Sequence, residues 1–456
     1  MTRFLLATPV VIGALAALIG GSASADDKVF PAKLTGQAIL PANTVVPAPA
    51  DAPAFLKTSG KFTTPDRKRT EALGTLPGKD GARVTDVKLP LDGQPVQGFS
   101  GIKTMADGTF WTLSDNGFGG KTNSADAMLF LHQMKFDWAT NKAEVVKNVF
   151  LSDPNKIAPF PIVTEASETR YLTGADFDIE SIQPVADGFW LGDEFGPYLI
   201  KVDSQGRLTD VISTLADGKP VTSPDNPLLQ IQANPVAKAP VFNVKRSGGY
   251  EGLAMSKDGS KLYGLLEGPL FKDDGKVEEA DGLTALRVIE FDVASKKWTG
   301  RSWLYPLSKG GEAIGDFNMI DATTALVIER DNGAGTADKP CADPAKPEPT
   351  CFNAPAKHKR VYKIEMTDAN VGKAVRKIGY IDLMNIQDPD NKKKAGNVAG
   401  VYDMPFVTIE NVDVVDATHI IIGNDNNLPF SAGRAVDKAD NNEFSVLEVG
   451  EFLAAK

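Results

Sequence analysis

Two stretches of this chain align without a gap: IGDFNMIDATTALVIERDN, from Ile314 to Asn332, and IENVDVVDATHIIIGNDNN, from Ile409 to Asn427. Both start on Ile, carry Asp-Ala-Thr in the middle, continue as a β-rich run and end in a polar cluster closed by Asn. Looser copies read FSGIKTMADGTFWTLSDNG from Phe99, IESIQPVADGFWLGDEFGP from Ile179 and YEGLAMSKDGSKLYGLLEGP from Tyr250. A unit repeated at such intervals cannot bury its apolar face alone, so the copies must pack against one another. Each copy reads as a strand, a DG or DAT turn and a returning strand, which is one β-hairpin. Hairpins repeated in this way predict an all-β fold, a β-propeller in which every copy supplies the first two strands of a blade. The segments between copies supply the outer strands, among them LRVIEFDVASKKW, from Leu286 to Trp298, and RVYKIEM, from Arg360 to Met366. Five copies are visible. A further blade is expected from an N-terminal strand joined to the EFSVLEV segment near the C-terminus, which gives six blades, with seven as the alternative.

The start of the chain stands outside the pattern. Arg3 provides a positive first region, Phe4 to Ile19 an apolar run, and Ala23-Ser24-Ala25 a small-residue end. Residues 1–25 therefore read as a secretory signal peptide cleaved after Ala25. An uncleaved membrane anchor is the rival reading, and Pro9 and the Ala-x-Ala end argue against it. Residues 26–84, rich in Pro, Ala, Thr and Lys, read as an N-terminal extension of one strand plus loose chain, and residues 85–456 as the propeller. The mature protein is expected in the periplasm or outside the cell, with no membrane span after cleavage, as a monomer. A formal net charge of −10 argues against nucleic acid as a partner. The two cysteines, Cys341 and Cys351, flank the Pro-rich loop CADPAKPEPTC, and in an exported chain this spacing predicts one disulfide closing a surface loop.

An antiparallel hairpin returns its end to its start. In DFDIESIQPVADGFWLGDEFGP, from Asp176 to Pro197, acid stands at both ends, so Glu180 should lie near Asp193 and Glu194. By the same geometry Glu251 should lie near Glu267, and Glu410 near Asn424 and Asp425. The first strand of each blade lines the central channel, so these residues should converge on one axis as a ring of oxygen ligands. Such a ring without clustered Cys or His suits a hard cation, and calcium is the best match. Glu180, Glu251 and Glu410 occupy one repeat position and Glu is not a favoured turn former, whereas Asp107, Asp187 and Asp258 are read as turn residues. His132, His358 and His419 are the whole histidine supply, and no Gly-x-Ser-x-Gly elbow, phosphate-binding loop or dinucleotide fingerprint occurs. Arg330, in the run Glu329-Arg330-Asp331-Asn332, Arg246, ahead of the Gly248-Gly249-Tyr250-Glu251 turn, and Arg434 are candidates for holding an anionic substrate.

The motifs GFSGI…FWTLSDNG, DIESI…FWLGDEFGPYL, YEGLA…LYGLLEGP and ENVDVVD…IIIGNDNN resemble the phytase-like family described as "esterase-like activity of phytase". The resemblance runs over roughly residues 95–430. It implies a secreted or periplasmic propeller, similar in style to calcium-dependent propeller phytases. It points to Glu180, Glu251 and Glu410 as metal ligands, with Asp193, Glu194, Glu267, Glu329 and Asn424 as further candidates. Ser100 and Gly315 stand where the other copies have Glu, so the ring is incomplete. The expected activity is metal-dependent hydrolysis of a small anionic phosphate ester. Asp193 or Glu194 would position water, and Arg330 or Arg246 would stabilise the developing charge. A calcium-dependent carboxylesterase or lactonase, or a non-catalytic metal- or ligand-binding propeller, are the alternatives.

Overall fold

Apolar runs that would be too continuous for a sheet with one wet face become strands covered on both sides. Gly188–Asp193 and Ala313–Met319 are buried at every position, because each sheet is sandwiched between two others. In a computed structural model of the chain, which describes residues 27–63, 75–77, 84–229, 242–346, 348–392 and 399–456, these strands build five antiparallel four-stranded blades. The first blade runs Phe99–Thr104, Phe110–Ser114, Phe130–Asp137 and Lys142–Phe150. The second runs Ile179–Val185, Gly188–Asp193, Tyr198–Asp203 and Leu208–Ser213, and the third Tyr250–Met255, Lys261–Leu266, Leu283–Asp292 and Lys297–Pro306. The fourth runs Ala313–Met319, Thr324–Arg330, Lys359–Glu365 and Arg376–Asp382, with Val29–Phe30 added in parallel at its edge. The fifth runs Asn411–Val414, His419–Gly423, Asn442–Glu448 and, from the other end of the chain, Lys33–Leu40.

The protein is an all-β propeller, and every repeat copy forms the inner hairpin of a blade. Among the described residues the sheets form five blades, where six were expected with seven as the alternative. The N-terminal strand and the EFSVLEV segment do pair, but they complete the blade of the fifth copy instead of founding another. The inner strands pack one on the next around a closed circle. Five apolar clusters fill the five gaps between blades. In the first gap Leu113 and Leu131 meet Ile182 and Leu191, and in the last Ile421 and Phe444 meet Phe99 and Ile102. Part of the segment 26–84 is thus integral to the propeller. The signal peptide expected over residues 1–25 lies outside the described residues.

Hairpin turns follow the expected chemistry on the side away from the acids. Asp107 Oδ1 accepts the Thr109 amide at 2.9 Å and Asp258 Oδ1 the Ser260 amide at 3.0 Å, while Asp187 instead binds Lys201 Nζ at 2.7 Å. Cys341 and Cys351 form a disulfide, Cα–Cα 4.9 Å, in the loop between the second and third strands of the fourth blade. A chain starting after Leu40 would lose the outer strand of the fifth blade and its single-residue link, Ile39 to Lys142, with the first. Its circular-dichroism melt should lose cooperativity or fall by more than ten degrees, since about 1 kcal/mol shifts a melting temperature by only a few degrees. A melt like that of a chain that keeps Lys33–Leu40 would disprove this role for the strand.

Candidate functional site

A β-bulge recurs within one residue of the same place in the repeat. The register between the first two strands slips between Ser100 and Ile102, Ile179 and Ser181, Tyr250 and Gly252, and Ile314 and Phe317. A bulged residue leaves the ladder and its side chain is re-aimed. In the second and third blades that residue is Glu180 and Glu251, and in the fifth Glu410 enters just ahead of Asn411–Val414. Carboxylate oxygens of Glu180, Glu251 and Glu410 lie within 4.8 Å of one another, and those of Asp178, Glu180 and Glu194 do the same. All five residues are buried. A second set comes from the residue that follows the partner position on each second strand: Asp115, Glu194, Glu267 and, in the fourth blade, Arg330.

Few cations answer these acids. Arg330, buried, brings Nη2 to 3.6 Å from Glu410 Oε1 and 3.7 Å from Glu267 Oε1, and its Nη1 donates to Asn332 Oδ1 at 3.0 Å. Lys245 Nζ binds Glu267 Oε2 at 2.7 Å, and Ser100 Oγ donates to Glu410 Oε2 at 3.0 Å. Burial and mutual repulsion then raise the carboxyls. Glu180, Glu194 and Glu251 rise well above the usual range, Glu410 to about 8 and Asp178 to about 6, with burial the first cause in each. Asp115 is raised too, by burial and then by Asp425. Asp178 Oδ1, Glu194 Oε1, Glu251 Oε1 and Arg330 Nε have no hydrogen-bond partner.

Beneath the acids the blades are tied across the axis. Asp316 accepts amides from three blades, Ile102 at 3.2 Å, Phe317 at 2.8 Å and Val412 at 3.0 Å. Lys103 Nζ bridges Asp413 at 2.8 Å and Asn318 at 3.0 Å, and Gln183 Nε2 donates to Asn318 Oδ1 at 2.9 Å.

The remaining sequence candidates lie elsewhere or do other work. Asp193 is consumed by the amides of Asp178, at 2.9 Å, and Gly196, at 2.7 Å, and shapes the loop. Glu329 lies outside the ring, held by Tyr305 Oη at 2.7 Å, Lys377 Nζ at 2.7 Å, His358 Nε2 at 2.9 Å and the Ser308 amide at 3.0 Å. Burial opposes its charge, but these donors, His358 foremost, keep it at about 2. Asn424 spends its side chain on backbone, taking the Glu443 amide at 2.7 Å and donating to Asn441 O at 3.0 Å. Arg434 is locked on Glu443 and Asp403, and Arg246 is exposed and bound to Asp225. His132 is buried between Phe99 and Phe130 and, chiefly through burial, falls to about 4. His419 sits at a turn with Asp416. Asp178 and Asp115 were not singled out from the sequence. Asp178 is two residues ahead of Glu180, the spacing that returns a strand residue to the same face, and that signal was available.

A family model described as "Phytase-like: Esterase-like activity of phytase" matches residues 94–428. The chain belongs to this family. A relative from Arthroderma benhamiae, described as an uncharacterized secreted protein, is 30% identical over 132 residues, 26% of this phytase-like chain and 24% of the relative. The chain thus spans only 24% of the length of that curated relative. Among solved structures, a Pseudomonas aeruginosa periplasmic gluconolactonase is 12% identical with a TM-score of 0.31, over 83% of this chain and 98% of its own. The Dos1 propeller is 8% identical with a TM-score of 0.30, over 86% and 82%. At those scores the fold rests on the sheets described above. No described helix is long and apolar enough to cross a membrane.

Raised carboxyls make a pH prediction for chelator-treated protein. Unfolded carboxyls titrate at about 4, whereas Asp178 and Glu410 hold protons to about 6 and about 8. Between those values the folded chain binds more protons than the unfolded one, so stability falls as pH rises. In EDTA the melting temperature should drop by several degrees from pH 5 to pH 8, and Glu410→Gln should flatten the slope. A slope unchanged by Glu410→Gln would refute the assignment.

Proposed function

We propose that the acid centre holds a divalent cation, calcium by its donor set, and that the exported protein hydrolyses a phosphate ester there. The observation that carries this reading is the convergence of Glu180, Glu251 and Glu410 from three blades, with one guanidinium, Arg330, beside them. The residues fit such an ion. The donors are all oxygen, the cysteines and histidines are elsewhere, and Glu251 Oε1 is buried without a hydrogen-bond partner. A cation held by these glutamates supplies Lewis-acid charge and an activated water.

The chain's own groups divide the rest. Arg330 is pinned by Glu267, Glu410 and Asn332 and keeps Nε unpaired, so it can bind a phosphoryl oxygen and stabilise charge that develops on it. Lys245 adds positive charge at the rim through Glu267. Of the two carboxylates expected to position water, Asp193 is used by the backbone and Glu194 keeps Oε1 without a donor. Arg246, exposed, contributes attraction of an anion from solution. A guanidinium inside the acid ring favours phosphate over a carboxyl ester or lactone, which needs no such charge.

Mature protein should turn over p-nitrophenyl phosphate or its bis diester in calcium, lose that activity in EDTA and regain it on calcium addition. Arg330→Ala should lower kcat/KM by about a hundredfold, the usual loss for one transition-state donor. Turnover confined to carboxyl esters or lactones and indifferent to Arg330 would replace phosphate as the substrate class.

A native-only ligand stabilises by mass action, so calcium should also raise the melting temperature. Glu251→Gln should weaken that effect and turnover together, while Asp258→Asn, in an exposed turn, should change neither. If melting ignores both calcium and chelator, and Glu251→Gln behaves like Asp258→Asn, the cation reading fails and a non-catalytic propeller becomes the better account.

A further inference from the structure

The two groups of converging carboxylates are not alternatives, because they share only Glu180. We propose that the centre holds two cations side by side, the first on Glu180, Glu251 and Glu410 and the second on Asp178, Glu180 and Glu194, with Glu180 common to both. This rests on the reading of the site as a cation centre.

The second position is a built one. Asp178 ends the segment before the inner strand of the second blade and Glu194 follows its second strand, and the Glu194 amide donates to Asp178 O at 2.8 Å across the hairpin mouth. Asn116 Nδ2 orients Asp178 through Oδ2 at 2.8 Å, which leaves Asp178 Oδ1 without a hydrogen-bond partner. Glu194 Oε1 and Asn116 Oδ1 are likewise unpartnered. These are closed surroundings: Asp178 is 2% exposed, Glu194 5% and Asn116 6%. A buried polar atom without a partner is destabilising, more so when charged, and here three such atoms gather.

Compensation differs between the two groups. Glu410 has Arg330 at 3.6 Å and Ser100 at 3.0 Å, whereas among the described residues no lysine or arginine forms an ion pair with Asp178, Glu180 or Glu194. One cation among Glu180, Glu251 and Glu410 would leave Asp178 and Glu194 still unanswered. A carboxylate has two oxygens, so Glu180 can serve both positions, and oxygen-coordinated cations accept carboxylates in either mode. Sharing also makes the positions interdependent, since each cation lowers the repulsion that the other must overcome.

Calcium bound per chain, measured by equilibrium dialysis against calcium chloride and by calorimetry on full mature protein, tests this. The expected result is two ions for the natural sequence and one for Asp178→Asn. Glu251→Gln should also leave one, and Glu180→Gln should weaken both by at least tenfold. Circular dichroism checks folding, and if Asp178→Asn does not fold, Glu194→Gln takes its place with the same expected loss of one ion. One ion in the natural sequence would overturn the shared arrangement and leave the cation reading standing. Two ions retained in both Asp178→Asn and Glu194→Gln would place the second elsewhere and overturn it too. No bound calcium at all would remove both.

Discussion

Closure of the ring by the N-terminal strand Lys33–Leu40 is the constraint on which the rest depends. Lys33–Leu40 pairs with Asn442–Glu448, so the fifth blade exists only when both ends of the chain meet. That blade brings Glu410, and the apolar contacts of Ile421 and Phe444 with Phe99 and Ile102 seat it against the first blade. Without that seating the carboxylates of the second, third and fifth blades have no reason to share one small volume. Chain-end pairing of this kind is non-local, and its loop-closure entropy must be met by the apolar area that the gaps bury, at roughly 25 cal/mol per Å². The site is thus a product of the whole ring and of no single repeat.

Two glutamates of similar burial show how the structure separates support from function. Glu329 receives Tyr305, Lys377, His358 and a backbone amide, and these donors hold it at about 2 despite burial. Glu410 shares its space with Glu251 and Asp425, and burial followed by Asp425 raises it to about 8 despite Arg330. A saturated carboxylate fastens blades together. An unsaturated group of them stores electrostatic repulsion in a rigid frame, which is costly unless a ligand of opposite charge answers it.

The blades were legible because each hairpin copy carries its own period, turn and apolar run, and the Glu position was legible because it recurs. Blade number was not, because the closing strand bears no copy of the motif and a leftover strand pair looks the same whether it starts a blade or finishes one. Glu329 and Asn424 were misplaced by one residue: the next residue of each returning strand, Arg330 and Asp425, is the one that acts on Glu410, the first at 3.6 Å and the second by raising its carboxyl. A bulge shifts facing by one, and nothing in the residue types announces a bulge. Asp193 fell to the same uncertainty against Glu194.

The fourth blade is where the repeat departs most, and packing explains half of the departure. Gly315 occupies the Glu position, and a Cβ there would meet Ile409 O at 2.2 Å, so the backbone of the fifth blade leaves no room for any side chain. The other half is charge. Where the first three blades place Asp115, Glu194 and Glu267, the fourth places Arg330, whose guanidinium reaches across to Glu410 and Glu267. Removing one carboxylate and reversing another in the same blade gives the ring a cationic sector between its third and fifth blades. Any anion drawn to cations in the centre would meet least repulsion from that side, with Arg330 already turned toward the acids. With cations in the centre as proposed, the asymmetry of an otherwise repeating frame would set the direction from which a negatively charged group approaches.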